Sequence, residues 1–101
     1  LVAGFVIVPC TITGTANALI LTPDLDEEGA ASYGNGMTWV GEITTSSSAS
    51  VTAQVGDQAA IKVYKDHGLT QAGNGDLLDG EIRFFIYWST LDSAAGGLIL
   101  I

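Results

Sequence analysis

The chain has 101 residues, with three basic and eleven acidic side chains, a net charge of −8 with the one histidine neutral. That length reads as a single domain spanning residues 1–101, large enough for one hydrophobic core without disulfides or metal. The charge argues against polyanionic partners: Lys62, Lys65 and Arg83 are too few to neutralise nucleic-acid phosphates or to hold the chain on an anionic membrane.

Hydrophobic residues make up 48% of the chain against 14% charged, and its apolar stretches are short, β-branched and bounded by Gly, Asn, Asp or Ser, a pattern of strands and turns. The opening from Leu1 to Ile12 lacks a basic leader and is too short to cross a bilayer, so neither a signal peptide nor membrane insertion is expected. A chain that starts at Leu1 and has its single methionine at Met37 is expected to come from a longer polypeptide.

Phe5–Thr13 forms the first predicted strand. Pro9 confines it to an edge, a strand end or a bulge, since proline cannot donate to a ladder. After a turn at Gly14, Ala18–Thr22 follows. The stretch from Pro23 to Gly36 holds Asp24, Asp26, Glu27 and Glu28 and reads as a loop closed by the turn residues Gly34, Asn35 and Gly36. From Met37 to Thr44 the alternation puts Met37, Trp39, Gly41 and Ile43 on one face. Ser46, Ser47 and Ser48 are expected to make a hairpin into a strand bearing Val51, Ala53 and Val55. Ile61 and Val63 share a face of the next strand, which breaks at Asp66, His67 and Gly68. Glu81–Ser89 is the strongest strand: Ile82, Phe84, Ile86 and Trp88 lie on one side, Arg83, Phe85 and Tyr87 on the other, so both sides are expected to be covered. Leu98, Ile99, Leu100 and Ile101 close the chain without alternation. Such a strand must be buried on both faces, and with an equally apolar start the termini are expected to pack on partner subunits.

Little in the sequence suggests catalysis. Cys10 is the only cysteine, which excludes an intrachain disulfide and a thiolate metal cage and suits a small buried residue. His67 lies in a turn, and no serine has the elbow setting of a nucleophile. One His and one Cys far apart do not make a zinc site, and the carboxylates from Asp24 to Glu28 lack the spacing of a calcium loop. Asp76, Asp79 and Glu81 could be posed as a glycosidase pair, but they read as turn formers in a domain with little room for a sugar cleft. Gly73, Asn74 and Gly75 read as a turn, since no lysine or helix follows as in a phosphate loop. No cofactor and no metal is expected. Trp39 and Trp88 lie on the apolar sides of their strands and are expected in the core. Tyr64, His67, Asn74 and Tyr87, placed in turns or on polar faces beside aromatic rings, are the candidate ligand contacts.

The run Gly14-Thr15-Ala16-Asn17-Ala18-Leu19-Ile20-Leu21-Thr22-Pro23, followed by Tyr33-Gly34-Asn35-Gly36-Met37, resembles a module of bacteriophage tail-fibre, head-fibre and other virion appendage proteins, also found in phage-like gene transfer agents. There the pattern is roughly G-T-A-N-A-I-x-L-T-P and then Y-x-D-G-M, and the order of later segments follows to the end of this chain. The resemblance implies a structural domain on the surface of a virion, often homotrimeric, that touches other virion proteins and in many cases a host surface glycan. The combined expectation is an all-β antiparallel sandwich of jelly-roll type, not an enzyme. The alternatives are a capsid-bound decoration or anchoring protein without a receptor, or a small carbohydrate-binding module.

Overall fold

A computed structural model describes residues 7–24 and 33–101. Eight strands form: β1 (Ile7–Gly14), β2 (Ala18–Pro23), β3 (Thr38–Glu42), β4 (Thr52–Val55), β5 (Ile61–Lys65), β6 (Thr70–Gln71), β7 (Ile82–Trp88) and β8 (Gly97–Leu100). They hydrogen-bond in the order β4-β2-β1-β3-β7-β8-β5, and β4 also pairs with β5, so seven strands close into a barrel while β6 adds a two-residue flap to β5.

This corrects the expected jelly-roll sandwich. The content is mostly β, but the sheet is closed and mixed: β1–β3, β2–β4 and β5–β8 run parallel, and the other four ring pairs antiparallel. Alternation along a strand tells which side faces inward; it does not tell which strand lies next door. The serine hairpin fails for that reason, because β3 and β4 do not pair and Ser46–Ser48 lie in a crossover between them. Instead Ser47 is buried: its hydroxyl donates to the Gly73 carbonyl at 2.7 Å and accepts from the Leu77 amide at 3.1 Å, tying the crossover to the loop before β7. Phe5 and Val6 of the expected first strand, and Asp26, Glu27 and Glu28, lie outside the described residues. Pro9 faces outward on a strand paired on both sides, not on an edge strand, at the point where β1 passes from its pairing with β3 (residues 7–9) to its pairing with β2 (residues 10–14).

Inward positions alternate as the period-2 pattern requires. Val8, Cys10 and Ile12 of β1, Leu19 and Leu21 of β2, Ala53 and Val55 of β4, Val63 of β5 and Leu98 and Leu100 of β8 fill the interior around the register pair Trp39 and Phe85. Gly41 is inward on β3, and a Cβ there would stand 2.7 Å from the Ile12 side chain and 3.0 Å from the Cys10 carbonyl, so its hydrogen makes room for a larger neighbour. Burial, with a smaller contribution from nearby Asp24, pushes the Cys10 thiol up to about 12.

The residues that carry the virion resemblance have structural work. Gly14 takes φ +87°, a left-handed value that glycine adopts without strain, and starts the turn into β2. Within that turn the Asn17 side-chain carbonyl accepts from the Ser48 and Ala49 amides at 2.9 and 3.1 Å, clamping the β3–β4 crossover. Tyr33 packs edge-on against Trp39 at 5.9 Å and stacks on Tyr87 at 4.9 Å, with its hydroxyl donating to the Ala59 carbonyl. Asn35 accepts from the Ser89 amide at 2.6 Å.

Candidate functional site: the outer wall over β3, β7 and β8

Because the registers are continuous around the barrel, outward residues form transverse rows. Tyr64, Ile99, Ile86, Thr38 and Ile7 align across β5, β8, β7, β3 and β1. Ile101, Phe84, Val40 and Pro9 make the next row, with Ile101 and Phe84 exchanging backbone hydrogen bonds at 3.0 and 3.2 Å. Trp88 stands above them, opposite Gly97. None of these side chains is charged, and the wall they form is apolar except for Thr38 and the Tyr64 hydroxyl.

The wall is also open to solvent. Ile7 is 53% exposed, Ile101 62% and Trp88 43%. A groove of about 490 Å³ runs among Ile7, Thr38, Phe84, Ile86, Trp88 and Ile101. A second, of about 500 Å³, shares Ile86 and Ile101 and continues over Ile99 to Asp66 and His67. Trp88 therefore does not belong to the core as expected from its strand face; Trp39 does, fully buried, its indole N–H without an acceptor among the described residues. The sequence pattern could not separate the two tryptophans. Both lie on an apolar strand side, and only the barrel decides which side is interior.

The apolar last strand is accounted for in halves. Leu98 and Leu100 point into the barrel, while Ile99 and Ile101 belong to the outer wall.

The four candidate contacts do not converge. Tyr64 lies at the margin of the wall, its ring over Gly97. His67 borders the second groove with a left-handed φ of 59°, following Asp66 at 53°. Tyr87 turns to the inner side of β7, where it stacks on Tyr33 and its hydroxyl closes on Gly96. Asn74 is exposed in the turn before β7, away from both grooves.

Electrostatics separate the wall from the remaining surface. All three basic side chains are ion-paired: Lys62 with Asp92 at 3.0 Å, Lys65 with Asp76 at 3.1 Å and Arg83 with Glu81 at 2.9 Å. Asp76 also accepts from the Gly73 amide at 2.7 Å, and this bond, with Lys65 next, holds its carboxyl below the usual range. Glu81 accepts from the Leu78 amide at 3.1 Å and from Arg83, and its carboxyl is likewise held low. The general acid of a glycosidase needs the opposite shift. Among the described residues no three His, Cys, Asp or Glu side chains come together as a metal site would need.

Comparison with protein-family models, with curated proteins and with solved structures finds no match.

Proposed function

We propose that this chain is a non-catalytic structural domain of a virion appendage, a fibre or spike of a phage or phage-like particle. On this reading it assembles as a homotrimer with other virion proteins at the particle surface and aids attachment to a host surface glycan. The observation that carries the proposal is the uncharged apolar wall over β7 and β8. Apolar side chains left open to water side by side support contact with another molecule, whereas the titratable groups at the loop end are engaged in holding turns. The residues of the appendage-like motif add support, since Asn17 and Tyr33 both serve as tie points of the barrel and a fold built on them would keep them.

A free carbohydrate-binding module is less well supported, because stacking on a sugar chain calls for a row of exposed tryptophans and Trp39 is buried. The test combines the solution mass of the full chain with its binding to an array of bacterial surface glycans. A trimer that binds a glycan supports the proposal. A trimer without glycan binding favours the decoration or anchoring alternative, and a monomer that binds no glycan overturns the appendage reading.

A further inference from the structure

We infer that Asn74-Gly75 is a site at which water modifies this chain, and that the modification releases the crossover between β3 and β4 from its anchor. The chemistry is hydrolytic: the Asn74 side chain loses ammonia through a succinimide, which reopens as aspartate or isoaspartate.

The sequence holds two Asn-Gly pairs, and the fold puts both in the same kind of turn. In Gly34-Asn35-Gly36-Met37 and in Gly73-Asn74-Gly75-Asp76 the last amide donates to the first carbonyl at 3.1 Å. Gly36 and Gly75 take φ +86° and +78°, as the third position of a type II turn requires. In both turns the glycine amide also donates to another segment, Gly36 to the Tyr87 carbonyl and Gly75 to the Ser47 carbonyl, each at 2.9 Å. The asparagine side chains differ. Asn35 accepts from the Ser89 amide at 2.6 Å, so both reacting groups of that pair are held. Asn74 is exposed, and its carboxamide makes no hydrogen bond among the described residues. Asn17, the third asparagine, precedes Ala18 and has both ends of its carboxamide engaged.

A glycine after asparagine has no side chain to keep its nitrogen away from the asparagine side-chain carbon. The Gly75 nitrogen bonds to Asn74 Cγ, its proton leaves, and the side-chain nitrogen departs as ammonia, closing the succinimide ring. Water then opens it. Attack at Cγ gives aspartate in an unchanged main chain, and attack at the Asn74 carbonyl carbon gives isoaspartate, in which the main chain runs through Cβ and Cγ. One water is consumed and one ammonia released, with no oxidant or reductant. Because the Gly75 N–H must leave the Ser47 carbonyl for the first step, local opening of that bond gates the reaction. Either product adds a negative charge to the −8 of the chain, two residues from Asp76. Isoaspartate also inserts a main-chain carbon before Gly75, which displaces the Gly75 amide from Ser47 and the Asp76 amide from Gly73. Those bonds, with the Ser47 hydroxyl on the Gly73 carbonyl, tie the crossover to the loop before β7.

The experiment ages the full folded chain in heavy-oxygen water at mildly alkaline pH and maps its peptides by mass over time, beside the same chain aged in urea. The expected result is an amide-to-acid exchange at Asn74 that carries solvent oxygen. In the folded chain it runs at least about 5-fold faster than at Asn35, as one further hydrogen bond on Asn35 requires. In urea the two rates converge, since both sites then read Gly-Asn-Gly. The converted fraction, separated on an anion exchanger, unfolds at a lower urea midpoint than the fresh chain. Asn74→Gln, whose longer side chain closes a ring far more slowly, keeps its midpoint through ageing. Exchange at Asn35 as fast as at Asn74 in the folded chain overturns the inference, and so does an Asn74 that stays intact while the chain in urea converts. A converted fraction as stable as the fresh chain overturns it as well.

Discussion

The two sides of the barrel share one interior and differ outside. On β2, β4 and the part of β1 after Pro9 the outward positions are Thr11, Thr13, Thr22, Thr52 and Gln54, with Ala18 and Ile20 the apolar ones, while Ile7 and Pro9 at the start of β1 belong to the outer wall. On β3, β7 and β8 the outward positions are Val40, Ile82, Phe84, Ile86, Trp88 and Ile99, with Thr38 and, at the margin beside Ile82, Glu42 the polar ones. Both sets stand on strands whose inward residues are equally buried, so closing the barrel does not explain the contrast. Threonine is as good a strand former as the apolar residues and keeps a surface soluble. The proposed function assigns the second set to contacts outside the fold, and each substitution that separates the two sides tests that proposal.

The largest effect is expected within a single dipeptide. Phe85 is fully buried beside Trp39, while its neighbour Phe84 lies on the outer wall. Phe85→Ala should cost about 3–5 kcal/mol in denaturant unfolding, through lost transfer energy and the cavity left behind. Phe84→Ala should cost less than about 1 kcal/mol under conditions where the chain is monomeric. Similar losses for both would mean that the outer wall is part of the folding core, and the contrast between the sides would lose its meaning.

An intermediate effect is expected at the crossover that sequence reading took for a hairpin. Ser47→Ala removes a buried hydroxyl and leaves the Gly73 carbonyl and the Leu77 amide short of a partner. The expected cost is about 1–3 kcal/mol. Thr13→Ala, on the exposed polar side, should stay within about 0.5 kcal/mol of the wild type in the same urea titration. A Ser47→Ala variant as stable as Thr13→Ala would show that the crossover is not anchored there.

These pairs also show what the sequence made legible. The alternation around Trp39, Val51 to Val55, Ile61 to Val63 and Phe84 to Trp88 is visible in the residues, and the structure keeps those faces intact. Partner choice was not visible. The parallel pairs β1–β3 and β2–β4 are set by contacts between segments far apart in the chain, and the Ser46–Ser48 run is as suited to a crossover as to a turn. The same gap hid the candidate site. Ile7, Val40, Phe84 and Ile101 stand together only through register, so nominations by local turn chemistry picked Asn74 and Tyr87, which the fold separates from the wall, and reached its margin only at Tyr64 and His67.

The smallest expected effect lies at the loop end, where the acidic surface adjoins β7. Asp76 and Glu81 have carboxyls held below their ordinary range, chiefly by the Gly73 and Leu78 amides and then by Lys65 and Arg83. A carboxyl whose folded value is depressed adds stability that is fully present above its unfolded value and is lost as pH falls through the folded one. With unfolded values of about 3.9 for Asp and 4.3 for Glu, the urea midpoint should therefore hold level from pH 7 to about 5 and decline below about 4. Both groups lie close to water, so the decline is modest. Asp76→Asn should lower the midpoint at pH 7 and flatten the acid limb, and Glu81→Gln should do the same more weakly, because Glu81 is the more exposed of the two and its charge is better screened by water. An acid limb as steep in Asp76→Asn as in the wild type would place the proton uptake elsewhere. The polar loops would then contribute no more to stability than the threonine side of the barrel, and among the described residues the apolar wall would remain the feature that separates one side of the barrel from the other.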